Sequence, residues 1–438
     1  MYKAILKIAY PIGVSRLLNV LLDVIAVFVV ARIGITYLAA YGLSMPLYVT
    51  IYMILISYLL IFSVKAAHLH EHPSRFSSYF FTGLIFSVGL SVIAIILFSV
   101  MPTILSLLGQ SANLVDMSGG FFYYITLGMP ALFVSSIISQ SLIIRSHSTL
   151  VSVCAFIQFI IGLASIYLLT NYYHYGLIGV ALGFDIAYWF KFLFLGCFFI
   201  KSKQVSFSQP VIFRRKFSED MHFLLRIGWP ISVQYGGELI AGSIATLMIG
   251  HLYAHALAAQ QVAAQLRVFL LMVPYSLSQA SAILIAKYQK NAEGNLKHEI
   301  KKLFKHAVIM GSCVIFLVLL VVNIFSAKYV SLFIGENHPD LQLLAQYFVL
   351  ITSFALLVEC VKYVLMGLLR GLHNTKTSML LSLFFYWVIG IPLAYFLGYK
   401  FGFGAVGVRI GLLVGLIISA IAIYMYYLFF IDNYTQRT

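Results

Sequence analysis

Charge is the scarcest ingredient of this chain. Asp, Glu, Lys and Arg make up 9% of its 438 residues, against about a quarter in an ordinary soluble domain. With 62% of the residues hydrophobic, no soluble fold could bury the apolar surface, which excludes a water-soluble enzyme or binding domain. Cysteine is reduced to Cys154, Cys197, Cys313 and Cys360, all inside apolar runs and none at a metal-ligand spacing. That excludes a disulfide framework, and the four read as small core residues. No glycine-rich run ending in Lys-Ser/Thr lies between a strand and a helix, so the chain carries no device for using ATP directly. No Ser/His/Asp set or hydrolytic metal cluster stands out either, so no enzyme is expected. Acids are rarer than bases, 13 against 28, giving a formal net charge of +15. The bases sit in short loops without interleaved aromatics, which argues against a nucleic-acid partner and for topology signals and lipid headgroup contacts.

What is present is long apolar runs. Twelve candidate spans lie at about 10–32, 38–64, 77–101, 119–143, 150–170, 177–200, 227–250, 257–286, 306–326, 341–367, 378–397 and 404–430. Runs this long satisfy their backbone in lipid as helices. Lys3 and Lys7 before the first run imitate a signal peptide. That run, however, holds Arg16, Asn19 and Asp23 and lacks a small-residue cleavage site, so it reads as a retained first membrane helix. With the N-terminus placed in the cytoplasm, 20 of the 28 bases fall on cytoplasmic loops and termini and only Arg32, Lys328 and Lys400 on outer loops. This bias predicts both termini inside and an even number of helices in the inner or plasma membrane.

The chain also repeats itself. Residues 7–40 lie over 226–259 at a constant offset of 219, aligning Pro11 with Pro230 and Leu38-Ala39-Ala40 with Leu257-Ala258-Ala259. Later, IIRSHST (143–149) echoes LLRGLHNTK (368–376), and YGLIGVALG (175–183) echoes FGAVGVRIG (403–411). The expected architecture is all-α and integral to the membrane: twelve helices in two pseudo-symmetric bundles of six. The N-lobe is 1–200, a cytoplasmic linker 201–226 carries Pro210, Arg214, Arg215 and Lys216, and the C-lobe is 227–438. Parallel repeats of this kind place substrate sites between the halves near the midplane.

Three acids sit inside apolar spans: Asp23, Glu238 and Glu359. An ionised carboxylate at the centre of a membrane helix costs about 2.5–3.5 kcal/mol even on a lenient scale. The most economical use for three of them is to bind a cation, a proton or sodium, from within the bilayer. Arg16, Asn19 and Asp23 at i, i+3 and i+7 share one helical face. Pro11 is read as capping the first turn or serving as a bend. Gln234, Tyr235 and Glu238 share a face beside Gly236 and Gly237, which allow close helix approach. Glu359 and Lys362, at i and i+3, could pair, and an arriving cation could then displace Lys362. Asp185 is a further candidate facing the N-lobe interior, too far round the helix from Lys191 to pair with it. Lys191 and Arg409 are expected to snorkel. Arg267, mid-span, could neutralise a C-lobe acid or contact an anionic group. His68, His70 and His72, and His251 with His255, read as solvated loop and surface residues.

Four passages resemble the multidrug and toxic compound extrusion (MATE) transporters over nearly the whole chain. They are YPIGVSRLLNVLLD with LAAYGLS, WPISVQYGGEL with LAAQQVAAQ, MGLLRGLHNTKTSM, and YWVIGIPLAYFLG. The resemblance implies twelve helices in two bundles exporting amphipathic, often cationic, small molecules in exchange for Na+ or H+, with no other cofactor. It places Asp23 on the family's helix-1 acid, Glu238 and Glu359 on the helix-7 and helix-10 acids of the sodium-coupled branch, and Gln265 on a polar helix-8 position. Arg267, Lys191 and Lys362 depart from the pattern, where neutral residues are expected. The expected partners are substrate and membrane lipids, and the chain is expected to act as a monomer. The alternative reading is a flippase for an anionic lipid-linked saccharide, favoured by Arg16, Arg267 and Lys362.

Overall fold

The computed structural model describes residues 1–202, 215–253, 256–291, 296–331 and 339–434. Of the residues singled out above, Pro210, Arg214 and His255 lie outside these. The described chain is almost entirely helical and contains no strand. Its long helices are α1 (Tyr2–Ile33), α2 (Thr36–Leu69), α3 (Pro73–Leu107), α4 (Ala112–Ile144), α5 (Ser148–Tyr172) and α6 (Gly176–Lys201). They continue as α7 (Arg215–Leu252), then α8 (Ala256–Gln289), α9 (Leu296–Ile324), α10 (Pro339–Gly371), α11 (Thr375–Lys400) and α12 (Gly404–Asn433). Eleven of the twelve expected spans fall inside one of them, and the other, 306–326, overruns α9 by two residues. Eleven are long and apolar enough to cross a bilayer, which takes about 20 residues. The exception is α7, whose 38 residues include Arg226, Gln234, the Gly236-Gly237 pair and Glu238. Of the two readings of Pro11, the first-turn cap does not hold. Helix α1 begins at Tyr2, so Pro11 lies in its interior, as Pro230 does in α7. A proline there removes a ladder donor and crowds the preceding turn. The Ser15 hydroxyl donates to the Pro11 carbonyl at 2.8 Å.

Contacts divide the chain into two units, Tyr10–Ser232 and Met1–Ala9 with Val233–Thr438. Both boundaries fall within a turn of the repeat-related prolines, and each unit therefore includes the opening turns of a helix that continues elsewhere. In the first unit those turns belong to α7. Asp220 is fully buried, accepts two hydrogen bonds from the Arg75 guanidinium at 2.6 and 2.7 Å and pairs with the Lys65 ammonium at 2.7 Å. The Tyr58 hydroxyl donates to the Leu225 carbonyl at 3.1 Å. Lys65 and Arg75, read above as topology signals, are thus also anchors. In the second unit the opening turns of α1 pack in the same sense, with the Tyr2 ring edge-on to His306 at 4.5 Å.

The internal repeat is written in the backbone. At the end of α4, Ser146 takes a positive φ of 69° and the His147 amide donates to the Leu142 carbonyl; at the end of α10, His373 at φ 61° and the Asn374 amide to the Leu369 carbonyl do the same. Helices α5 and α11 both end in a wider π turn, Leu168–Tyr172 and Phe396–Lys400. The echoed glycines have a packing reason. A Cβ on Gly179 would lie 2.9 Å from the Leu169 carbonyl carbon, and one on Gly407 2.7 Å from that of Leu397. Only glycine lets α6 back onto α5, and α12 onto α11, this closely.

Candidate functional site

The second unit gathers the most polar residues inside apolar helices. Glu238, on α7, faces α10 and α11. Its Oε1 accepts from the Lys362 ammonium at 2.9 Å, from the Ser382 hydroxyl at 2.8 Å and from the Gln234 amide at 3.5 Å. Its Oε2 accepts from the Tyr363 hydroxyl at 2.6 Å. The side chains of Lys362 and Glu238 are 2% and 12% exposed, so this pair is screened from water, where Coulomb attraction is strongest and loss of either partner most costly. The ammonium also lies 5.9 Å and 5.8 Å from the ring centres of Tyr363 and Tyr386, within cation–π range.

The second acid is paired differently from the expectation. Lys362 goes to Glu238 and not to Glu359, three residues back on its own helix. Glu359 is held by Arg267 of α8, whose Nε and Nη2 both donate to Oε1, at 3.1 and 2.5 Å. The reason is helical geometry: Lys362 sits next to Tyr363, and both reach across to α7, whereas Arg267 approaches Glu359 from α8. Arg267 therefore neutralises a C-terminal acid, one of the two uses its position allowed. The remaining oxygen, Glu359 Oε2, is buried without a hydrogen-bond partner among the described residues. Two acids and two bases thus form two pairs, with Glu359 Oε2 the one carboxylate oxygen of the four that no hydrogen bond occupies among the described residues.

Around these pairs lies a tyrosine cluster. The Tyr275 ring is 5.5 Å from Tyr235 and 4.6 Å, edge-on, from Tyr363. Gln234 is buried and also reaches the Met366 sulfur at 3.1 Å. Gln265 is half-buried on α8. Arg409 was expected to snorkel and does not. It turns onto α10, donating from Nη1 to the Thr352 hydroxyl at 3.2 Å, with its guanidinium 5.1 Å over the Phe348 ring. Arg409 carries its charge inward because Thr352 and Phe348 offer a hydroxyl and a ring face one turn apart on α10. Lys191 is half-buried in mid α6, ten residues short of that helix's end, and so is also not a terminal snorkelling residue.

The first unit holds the other candidates more loosely. Asp23 and Arg16 are half-buried on α1, with Asn19 between them accepting from the Gln158 amide at 3.4 Å. The Asp23 carbonyl accepts from the Tyr41 hydroxyl at 3.5 Å. Asp185 is buried, and both of its carboxylate oxygens lack hydrogen-bond partners among the described residues. It packs on the Gly128 backbone, where a Cβ would stand 2.9 Å from the carboxylate carbon. No hydrogen bond or ion pair between described residues joins Asp23 to Asp185. Nor do three or more described His, Cys, Asp or Glu residues gather as a metal site.

Tyr363, Ser382, Tyr275 and Tyr386 were not singled out from the sequence. Ser382 and Tyr386 sit in a run of α11 that reads as uniformly apolar and aromatic. Tyr363 had one available signal, its place beside Lys362 and four residues after Glu359.

The curated protein called probable multidrug resistance protein NorM of Synechococcus is 25% identical over 435 residues, 94% of this chain and 91% of that one. That of the same name from Brucella suis is 29% identical over 228 residues, so the match spans 51% of this chain and 48% of the relative, about half its length. The crystal structure of a Vibrio cholerae MATE transporter superposes with a TM-score of 0.86 over 97% of this chain and 96% of its own, at 16% identity, a likeness of fold. The MatE family model matches residues 11–168 and 230–396, most of the chain and both of its halves. The chain belongs to the MatE family of multi-pass membrane transporters.

Proposed function

We propose that this protein is a secondary active antiporter of the inner (plasma) membrane. It exports amphipathic small molecules, cationic ones foremost, in exchange for Na+ or H+. The observation that carries the reading is Glu238, a carboxylate 12% exposed in mid α7 and engaged by an ammonium and three further donors. Glu359 is the second coupling group and Asp23 a third. The names of the curated relatives support multidrug efflux as the activity. The 20-to-3 distribution of Lys and Arg supports cytoplasmic termini. The energy is sufficient: one charge crossing 100 mV releases about 2.3 kcal/mol, enough for roughly a 50-fold substrate gradient. Cation binding shifts the conformational balance only by its differential affinity for the two states. The saccharide flippase reading draws no support from the comparisons.

The test is efflux of a cationic dye from proteoliposomes under an imposed sodium gradient and then a proton gradient, for wild type and Glu238→Gln. Gradient-driven efflux in wild type, lost in the variant, is expected. Efflux indifferent to Glu238 would move coupling to Asp23, and no dye movement under either gradient would overturn the antiport reading.

A further inference from the structure

The C-terminal unit places an organic ammonium, its own, where a cationic substrate would be held. The Lys362 ammonium lies 2.9 Å from a carboxylate oxygen and just under 6 Å from two tyrosine ring centres, at 5.9 and 5.8 Å. A carboxylate flanked by aromatic faces is the chemistry that recognises alkylammonium groups. The Ser382 and Tyr363 hydroxyls complete the polar side at 2.8 and 2.6 Å from Glu238. Lys362 is 2% exposed and therefore excludes other cations from this position for as long as it stays. An alternative seat exists for it. Glu359 lies three residues earlier on the same helix, within side-chain reach, and its Oε2 is buried without a partner while Oε1 is taken by Arg267.

We propose that Lys362 is a resident stand-in for the substrate's ammonium at Glu238, and that an arriving aliphatic amine displaces it onto the free oxygen of Glu359. The substrate class is amphipathic primary and secondary amines, with the ammonium against Glu238 and Tyr386 and the apolar body outside the pair. The exchange swaps one ammonium for another at Glu238 and adds Lys362 to Glu359 beside Arg267; no acid is left uncompensated, which is what makes separating a buried pair expensive, and the site carries the substrate's one extra positive charge. Glu359 is in this scheme a positioning residue: it receives Lys362 and does not touch the substrate. The proposal rests on the reading of Glu238 as a cation site, and its test uses binding without any gradient. A failure of coupled transport is therefore separable from a failure of this subsite.

The experiment is equilibrium binding of monodansylcadaverine, a fluorescent primary amine, to the purified full-length protein, with NaCl titrated in parallel. In Lys362→Met the resident ammonium is gone, and amine affinity is expected to rise tenfold or more. Adding Tyr386→Leu to Lys362→Met is expected to reverse most of that gain. Glu359→Gln alone is expected to weaken amine binding several-fold, because Lys362 has nowhere to go. In the Lys362→Met background the same change has little effect, a non-additivity that a merely structural role does not produce. Unchanged or weaker amine binding in Lys362→Met overturns the proposal, as does a gain in Na+ affinity with none for the amine. Lys362→Gln repeats the measurement should the Met variant not fold, and is held to the same two outcomes.

Discussion

At the scale of single residues, the candidate site is a set of matched charges. Glu238 with Lys362 and Glu359 with Arg267 each join a buried acid to a base on a neighbouring helix. Removing one member of a buried pair typically costs about 3–5 kcal/mol, whereas replacing both by apolar groups is often near neutral. Glu238→Gln should therefore lower the unfolding temperature in detergent, and Glu238→Gln with Lys362→Met should recover most of the loss while efflux stays abolished. A double variant as unstable as the single would show that the pair is not the source of the cost. Arg267→Gln should cost about as much as Glu238→Gln, since it leaves Glu359, 5% exposed, without its counter-ion; the same melting experiment compares them. The in-span acids, Asp23, Asp185, Glu238 and Glu359, were legible in the sequence, because a carboxylate in an apolar run is conspicuous by its cost. Their partners were not. Whether Lys362 turns to Glu359 or to Glu238 depends on which neighbouring helix faces it, and that is a property of packing across α7, α8 and α10. Tyr363 and Ser382 were invisible for the same reason: a hydroxyl in a membrane span has many innocuous uses.

At the scale of elements, bilayer thickness did most of the prediction. Every expected span coincides with a long helix, 306–326 alone overrunning its helix by two residues, because a run of about 20 apolar residues has few alternatives in lipid. Where the reading slipped, at Pro11, the helix begins at Tyr2, eight residues before the expected span that opens at 10. Those turns are held by packing and their own ladder, and mean hydropathy does not register either. The glycine echo was legible as a repeat but its cause was not, since it lies in the backbone of the facing helix. The structure makes that cause testable. Gly407→Leu should force α12 from α11 and Gly179→Leu should force α6 from α5. Each is expected to destabilise by at least the 1–3 kcal/mol usual for overpacking, read as a drop in melting temperature. Gly42→Leu, with nothing within 4 Å of the added Cβ, is the control and should leave it within a degree or two.

At the scale of the whole molecule, two units of similar construction each close around their own polar interior, and the segment that opens α7 is fastened by Asp220 to Arg75 and Lys65. Asp220→Ala would leave two cations without their shared acid. Because Lys65 and Arg75 remain about 20% exposed, at 21% and 22%, water softens the loss, and a cost near the lower end of the 3–5 kcal/mol range is expected. Limited proteolysis should report it as faster cleavage near residues 215–226, and unchanged cleavage would mean that the Tyr58–Leu225 bond and apolar packing suffice. The charge count alone could not separate this anchor from a topology signal, because a basic loop residue serves both ends. The composition of the units has a consequence for ancestry. Residues 1–9 are grouped with the later half and the first eighteen of α7 with the earlier one. A duplicated gene whose two copies each donate their leading turns in this way cannot be cut back to a self-sufficient half at the connecting segment. Each fragment would keep a docking groove for turns it no longer carries, so the two copies are bound to be inherited, and to diverge, together.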